Sequence, residues 1–160
     1  MVLSLLLLIA RASRTSVRRL GYDPDNHAFH ATARTDGLET FPELLIARVD
    51  GPLFFADADR FRARIDELGR ADGPPARVVI DADAVHLTDT DGADILIQMA
   101  EELHSRGATL ELAQVHPPVL AIWRRAGLME VIGDHAVFDT VLEAVERSTG
   151  QPQNAARPVA

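Results

Sequence analysis

Neither cysteine nor lysine occurs anywhere in the 160 residues. The absence of cysteine excludes disulfides, thiolate catalysis and zinc–thiolate sites. The absence of lysine excludes Schiff-base chemistry and the phosphate-loop lysine, so all 16 basic side chains are arginine. Positive charge is outweighed: the net charge is −8 at pH 7, and no basic surface is on hand to offset phosphate repulsion, which argues against nucleic acid as a partner. None of the 10 glycines falls into the G-x-G-x-x-G or G-x-x-x-x-G-K spacing of nucleotide-binding loops. Long hydrophobic runs are missing too. The longest, Met1–Ala10, falls short of the roughly 20 residues that span a bilayer.

What remains is an ordinary globular composition, 47% apolar and 25% charged, long enough for one domain with a core plus tails. The charge is uneven. Residues 1–22 hold Arg11, Arg14, Arg18 and Arg19 and no acid, so they carry +4 and the remainder −12. An apolar run followed by arginines reverses the order of a signal peptide and matches a transmembrane helix leaving the membrane on the cytoplasmic side. Met1–Ala10 is therefore read as the end of a membrane helix, with residues 1–20 forming that remnant and a basic juxtamembrane segment; the alternative is a frayed amphipathic N-terminus.

Residues 21–40 show little periodicity and read as a linker, with local order around Phe29, so the folded domain is placed at 41–149. Leu44–Val49 reads as a strand and Asp50-Gly51-Pro52 as a turn. Leu53–Phe55 then reads as a second strand in a hairpin with the first. Asp57 suits an N-cap, and Phe61, Ile65 and Leu68 give the apolar stripe of a helix. A strand follows over Arg77–Ala82, then a polar turn His86–Gly92, then a helix with Leu96, Met99, Ala100 and Leu103 on one face, ending at Gly107 as C′ residue. Thr109–Val115 reads as a strand. Pro117 and Pro118 open a helix carrying Leu120, Ile122, Trp123 and Ala126. Met129–Ile132 reads as a short extended piece. Asp134 is expected to cap a last helix that carries Phe138, Val141, Leu142 and Val145. Residues 150–160 read as a disordered tail. Strands alternating with helices imply an α/β fold: a mixed, mostly parallel sheet of four to five strands with four to five packed helices.

The chemistry-bearing candidates cluster around the polar turn. It sets carboxylates and hydroxyls at a helix start, where backbone N–H groups point outward, and Asp91 and Asp94 are spaced like a capping arrangement. As a calcium loop the turn fails, because Leu87 and Gln98 would fall at positions that need oxygen-rich ligands. Asp81 and Asp83, two apart at a strand end, resemble the acids of aspartate-dependent phosphatases. That chemistry also needs a cation for the phosphoryl group and further acids for Mg²⁺, so the set is incomplete and solvated acids are the simpler reading. His27, His30, His86, His104, His116 and His135 show no metal-ligand spacing. Trp123 reads as a core or interface anchor.

Two segments resemble the STAS domain, the module shared by SulP-type sulfate transporters and anti-sigma-factor antagonists. Arg48-Val49-Asp50-Gly51-Pro52-Leu53-Phe54-Phe55-Ala56-Asp57-Ala58 is similar to the R-x-D-x-P-L-x-F-A-N-A-like segment of the transporter branch. Val79-Ile80-Asp81-Ala82 through Asp89-Thr90-Asp91-Gly92 is similar to the family's D-S/T-S/T-G turn. The resemblance runs from about Phe41 to Arg147. It implies a regulatory and interaction domain, not an enzyme, tethered on the cytoplasmic face to the membrane domain of a bacterial sulfate or related anion transporter. Its partners would be that membrane domain and cytoplasmic regulatory proteins, with no nucleic acid. The family also implies a weak site for GTP/GDP or ATP, with Mg²⁺, although no cofactor or metal is required. That surface would be built from Leu53, Phe54, Phe55, Ala56, Asp57 and Ala58 facing Leu87, Thr88, Asp89, Thr90, Asp91 and Gly92. Phe54 or Phe55 would stack on the base, and Asp89 and Asp91 would repel phosphate. One departure matters. The antagonists carry a phosphorylated serine before the glycine, whereas Asp91 stands there and accepts no phosphate from a serine kinase, so only Thr88 and Thr90 remain as phosphorylation candidates. The alternative reading is a freestanding antagonist-like STAS protein, and the remote one is the phosphatase.

Overall fold

The computed structural model describes residues 15–149 apart from 42, 55–57 and 71–72. The expected membrane-helix remnant Met1–Ala10, the cap at Asp57 and the tail 150–160 lie outside the described residues. The elements in order are β1 (Ser16–Asp23), β2 (Ala28–Ala31), β3 (Leu44–Asp50), α1 (Ala58–Arg70), β4 (Arg77–Asp81), α2 (Thr90–Ser105), β5 (Thr109–Ala113), α3 (Pro117–Arg125), α4 (Leu128–Ile132), β6 (Val137–Phe138) and α5 (Val141–Thr149). They build one six-stranded sheet in the order β2-β1-β3-β4-β5-β6. The β2–β1 and β1–β3 pairs are antiparallel and the pairs from β3 to β6 are parallel. Among the described residues no helix is long and apolar enough to cross a membrane.

The central strands are apolar almost throughout because helices cover both sheet faces. Leu45, Ala47, Val49, Val78, Ile80, Leu110 and Leu112 point to one face and join Phe61 and Ile65 of α1, Ala93, Leu96 and Met99 of α2, Trp123 of α3 and Leu128 of α4 in the main core. Leu44, Ile46, Val79 and Ala113 point to the other face and meet Val141, Ala144 and Val145 of α5. Gly107 ends α2 as expected: at φ 77° its N–H donates to the His104 carbonyl at 3.0 Å, and the Ala108 N–H donates to that of Leu103 at 2.8 Å.

Four expectations are corrected. Residues 21–40 are not a linker throughout: residues 21–23 complete β1, which starts at Ser16, and Ala28–Ala31 form β2, so two strands precede β3 in the six-stranded sheet. Only Val17, Leu20 and Gly21 of β1 are buried, and Arg18 and Arg19 interrupt the alternation by which a strand is recognised. The antiparallel partner of β3 is β1, with Val17 opposite Val49, while Leu53 makes only an isolated parallel bridge to Thr88. Residues 129–132 are helical, in α4, framed by Gly127 at φ 93° and Gly133 at φ 81°, because Leu128 must turn fully into the main core. Phe138 belongs to β6, opposite Ala113, and α5 starts only at Val141, leaving Asp134 in a 3₁₀ turn without a side-chain cap bond.

Candidate functional site at the carboxyl ends of the central strands

The turn before α2 is tied to the segment after β3 by a short network. The Leu53 N–H donates to the Leu87 carbonyl at 3.1 Å. The Thr88 hydroxyl donates back to the Leu53 carbonyl at 3.1 Å and accepts from the Trp123 indole N–H at 3.2 Å. Trp123 is completely buried, so its indole N–H needs a partner inside the protein, and Thr88 is that partner. Gly92 lets the helix approach this closely: an added Cβ would lie 2.2 Å from the Leu53 carbonyl oxygen and 2.6 Å from Thr88 Oγ1. The cap of α2 is Asp89, whose Oδ1 accepts from the Gly92 N–H at 2.7 Å. The expected Asp91–Asp94 capping arrangement is thus replaced by Asp89, and both Asp91 and Asp94 are exposed. Sequence spacing picked the wrong carboxylate because the close approach at Gly92 fixes where the helix begins.

The network divides the candidate residues into two groups. Leu53, Thr88, Asp89 and Gly92 are structural, with their polar groups already paired. Leu87, exposed to 64%, and the exposed Thr90 and Asp91 form the outer surface. Phe54, half-buried, follows Leu53 in the chain. Phe55, Ala56, Asp57 and the side chain of Ala58 lie outside the described residues, so only the start of the expected facing segment is placed. The Thr88 hydroxyl is engaged in the network, which leaves Thr90 as the accessible hydroxyl of the turn.

At the end of β4, Asp81 is fully buried. Its Oδ2 accepts from Arg48 Nε at 2.7 Å and its Oδ1 from the Asp83 N–H at 3.1 Å. This carboxylate anchors the strand end to β3 and presents no lone pair to solvent. Beside it the His116 ring nitrogen Nε2 lies 2.6 Å from the Asp83 carbonyl oxygen, and the His86 and His116 rings sit 4.5 Å apart. No sequence spacing announces this ring pair, since it joins two loops. Among the described residues no group of three His, Asp or Glu side chains is placed to hold a metal ion.

A family model described as "STAS domain" matches residues 37–144. A probable sulfate transporter of Mycobacterium tuberculosis is 31% identical over 147 residues, which cover 90% of this chain and 26% of that protein. The chain thus spans about a quarter of the length of that curated relative. Among solved structures, a sulfate transporter family protein from Wolinella succinogenes is 26% identical with a TM-score of 0.62, covering 79% of this chain and 95% of that one. The murine Solute Carrier 26 family member A9 anion transporter in its inward-facing state superposes with a TM-score of 0.81 at 19% identity, a likeness of fold that covers 94% of this chain and 25% of that one.

Proposed function

Because the chain belongs to the STAS domain family, we propose that it is the cytoplasmic regulatory domain of a bacterial sulfate or related anion transporter, and that it acts by contact with the transporter's membrane part and with regulatory proteins. The observation that carries this reading is the proportion of the match: nine-tenths of this chain corresponds to about a quarter of a sulfate transporter. The surface of Leu87, Thr90 and Asp91, with Phe54 at its margin, suits contact better than chemistry. Its apolar member is exposed without a partner among the described residues, while the polar groups beneath it are mutually paired. The burial of Asp81 between Arg48 and the Asp83 N–H supports a non-catalytic reading, since a phosphatase nucleophile must reach its substrate. Asp91, an exposed and permanently charged group at the α2 start, weighs against the antagonist-type serine switch.

A guanine or adenine nucleotide is the proposed small ligand of this surface, bound weakly with Mg²⁺ against the Asp91 carboxylate and stacked on Phe54. Asp89, engaged with the Gly92 N–H, contributes less repulsion than Asp91. Titration with GTP or ATP in the presence of Mg²⁺ should shift the amides of Phe54 and Leu87–Gly92, and shifts confined elsewhere would refute the nucleotide site. The transporter reading is tested separately, on the gene. Its reading frame should encode membrane-spanning helices ahead of this domain, and Leu87→Asp in the encoded protein should alter sulfate uptake at equal membrane abundance. A frame with no such helices would overturn the assignment.

A further inference from the structure

On the sheet face opposite the main core, α5 packs over β4, β5 and β6. Toward β1 and β2 the same face holds a cavity of about 200 Å³ lined by Arg18, His30, Arg34, Arg48 and Asp50, with Leu20 and Phe29 among its apolar walls. Three arginines in one small cavity are unexpected on a chain whose net charge is −8. Two of them, Arg18 and Arg48, are direct cross-strand partners on the antiparallel β1–β3 pair, a placement in which like charges repel.

The available carboxylates neutralise this cluster only in part. Arg48 gives its Nε hydrogen to the buried Asp81 at 2.7 Å. Arg18 Nε lies 2.8 Å from Asp50 Oδ2, but that oxygen has no hydrogen bond, so the contact is an ion pair without hydrogen-bond geometry. Arg34, in the turn after β2, has no side-chain acceptor among the described residues. Apart from Arg48 Nε, the guanidinium N–H donors of the three arginines therefore lack hydrogen-bond partners among the described residues. Three positive charges face two negative ones, Asp50 and Asp81, while His30 lies 3.9 Å from the Asp23 carboxylate. Arginine forks match the oxygens of phosphate, sulfate and carboxylate in geometry as well as charge.

We propose that this cavity is a binding site for a small divalent oxyanion of the phosphate or sulfate class, held by Arg18, Arg34 and Arg48. The site lies on the other side of the sheet from Thr88 and Trp123 and does not depend on the transporter reading. Its volume suits a small ion, not a nucleoside phosphate, which separates it from the nucleotide surface proposed above.

The test is to titrate the full chain with sodium sulfate and with sodium phosphate, against sodium chloride at matched ionic strength, following backbone and arginine side-chain resonances. Saturable shifts at Arg18, His30, Arg34 and Arg48 with both oxyanions, absent with chloride, are expected. Arg34→Gln removes a guanidinium that supports no other group, so its thermal midpoint should stay at the wild-type value. Its oxyanion affinity should fall about tenfold, the loss of one charge-assisted contact, and Arg34→Lys should recover part of it. A linear response, an equal response to chloride, or wild-type affinity in Arg34→Gln would each overturn the proposal.

Discussion

At Gly92, helix propensity and packing oppose each other. Alanine within a helix is favoured over glycine by about 1 kcal/mol, yet a Cβ here would sit 2.2 Å from a backbone carbonyl oxygen, which yields only if the helix moves. Overpacking of this kind costs about 1–3 kcal/mol, and a backbone obstacle puts the cost at the upper end. Gly92→Ala should therefore destabilise the domain by about 2 kcal/mol net, read as a lower urea midpoint at unchanged m-value; a gain in stability would refute the close approach. The two neighbouring carboxylates separate just as clearly. Asp89→Ala removes the α2 cap and should cost about 1 kcal/mol. Asp91→Ala removes an exposed first-turn charge and should cost about 0.3 kcal/mol. A larger loss in Asp91→Ala than in Asp89→Ala in the same denaturation experiment would return the cap to Asp91.

Among the elements, the β1–β2 hairpin is one whose formation the sequence concealed, and its turn carries a titration that can be followed. Asp23 Oδ2 accepts from the Asn26 side-chain amide at 2.7 Å and Oδ1 from the Asp25 N–H at 3.0 Å. The Asn26 amide, the largest cause, holds the Asp23 carboxyl below its ordinary value, helped by the backbone donors and His30 and opposed by desolvation. A carboxylate depressed in this way stabilises the turn fully above its unfolded value, and that contribution is lost as pH falls through the folded one. The Asp25 and Asn26 amide resonances should accordingly titrate with a midpoint below the usual aspartate range; a midpoint at or above it would remove the carboxylate from the turn. The helices α1, α2 and α3 were legible because apolar residues recur at helical spacing, as in Phe61 and Ile65 or Leu96, Met99 and Leu103. β1 was not, since Arg18 and Arg19 sit mid-strand and the pairing that excuses Arg18, with Asp50, spans the sequence from one strand to another. α4 and β6 were exchanged for the same reason: in pieces of five and two residues, the burial of Leu128 and the β5 pairing of Phe138 override local pattern. The polar turn was recognisable from its composition, but the Trp123–Thr88 bond that anchors it joins residues 35 apart, and nothing local announces it.

For the whole molecule, the position of β1 decides where the folded unit begins. β1 lies inside the sheet, between β2 and β3. It puts Val17 into the main core and Leu20 into the core beneath α5, so both sides of the protein rely on it. A chain cut to residues 41–149, the extent read from the sequence, would lose both side chains and leave β3 as an edge strand. The exposed row Leu44-Leu45-Ile46-Ala47 would then offer unpaired backbone groups on an apolar strand, the arrangement that invites pairing between chains. Burying a side chain such as Val or Leu contributes about 1.5–3 kcal/mol, so losing the two is comparable to much of the 5–15 kcal/mol stability of an ordinary domain. The 41–149 piece should elute as aggregate in size-exclusion chromatography and lack a cooperative thermal transition by circular dichroism. A piece covering 15–149 should stay monomeric and unfold in one step. If the shorter piece is monomeric with the same midpoint, β1 is an accessory to a core that is complete without it, and the arginine cavity between β1 and β3 becomes peripheral to the fold.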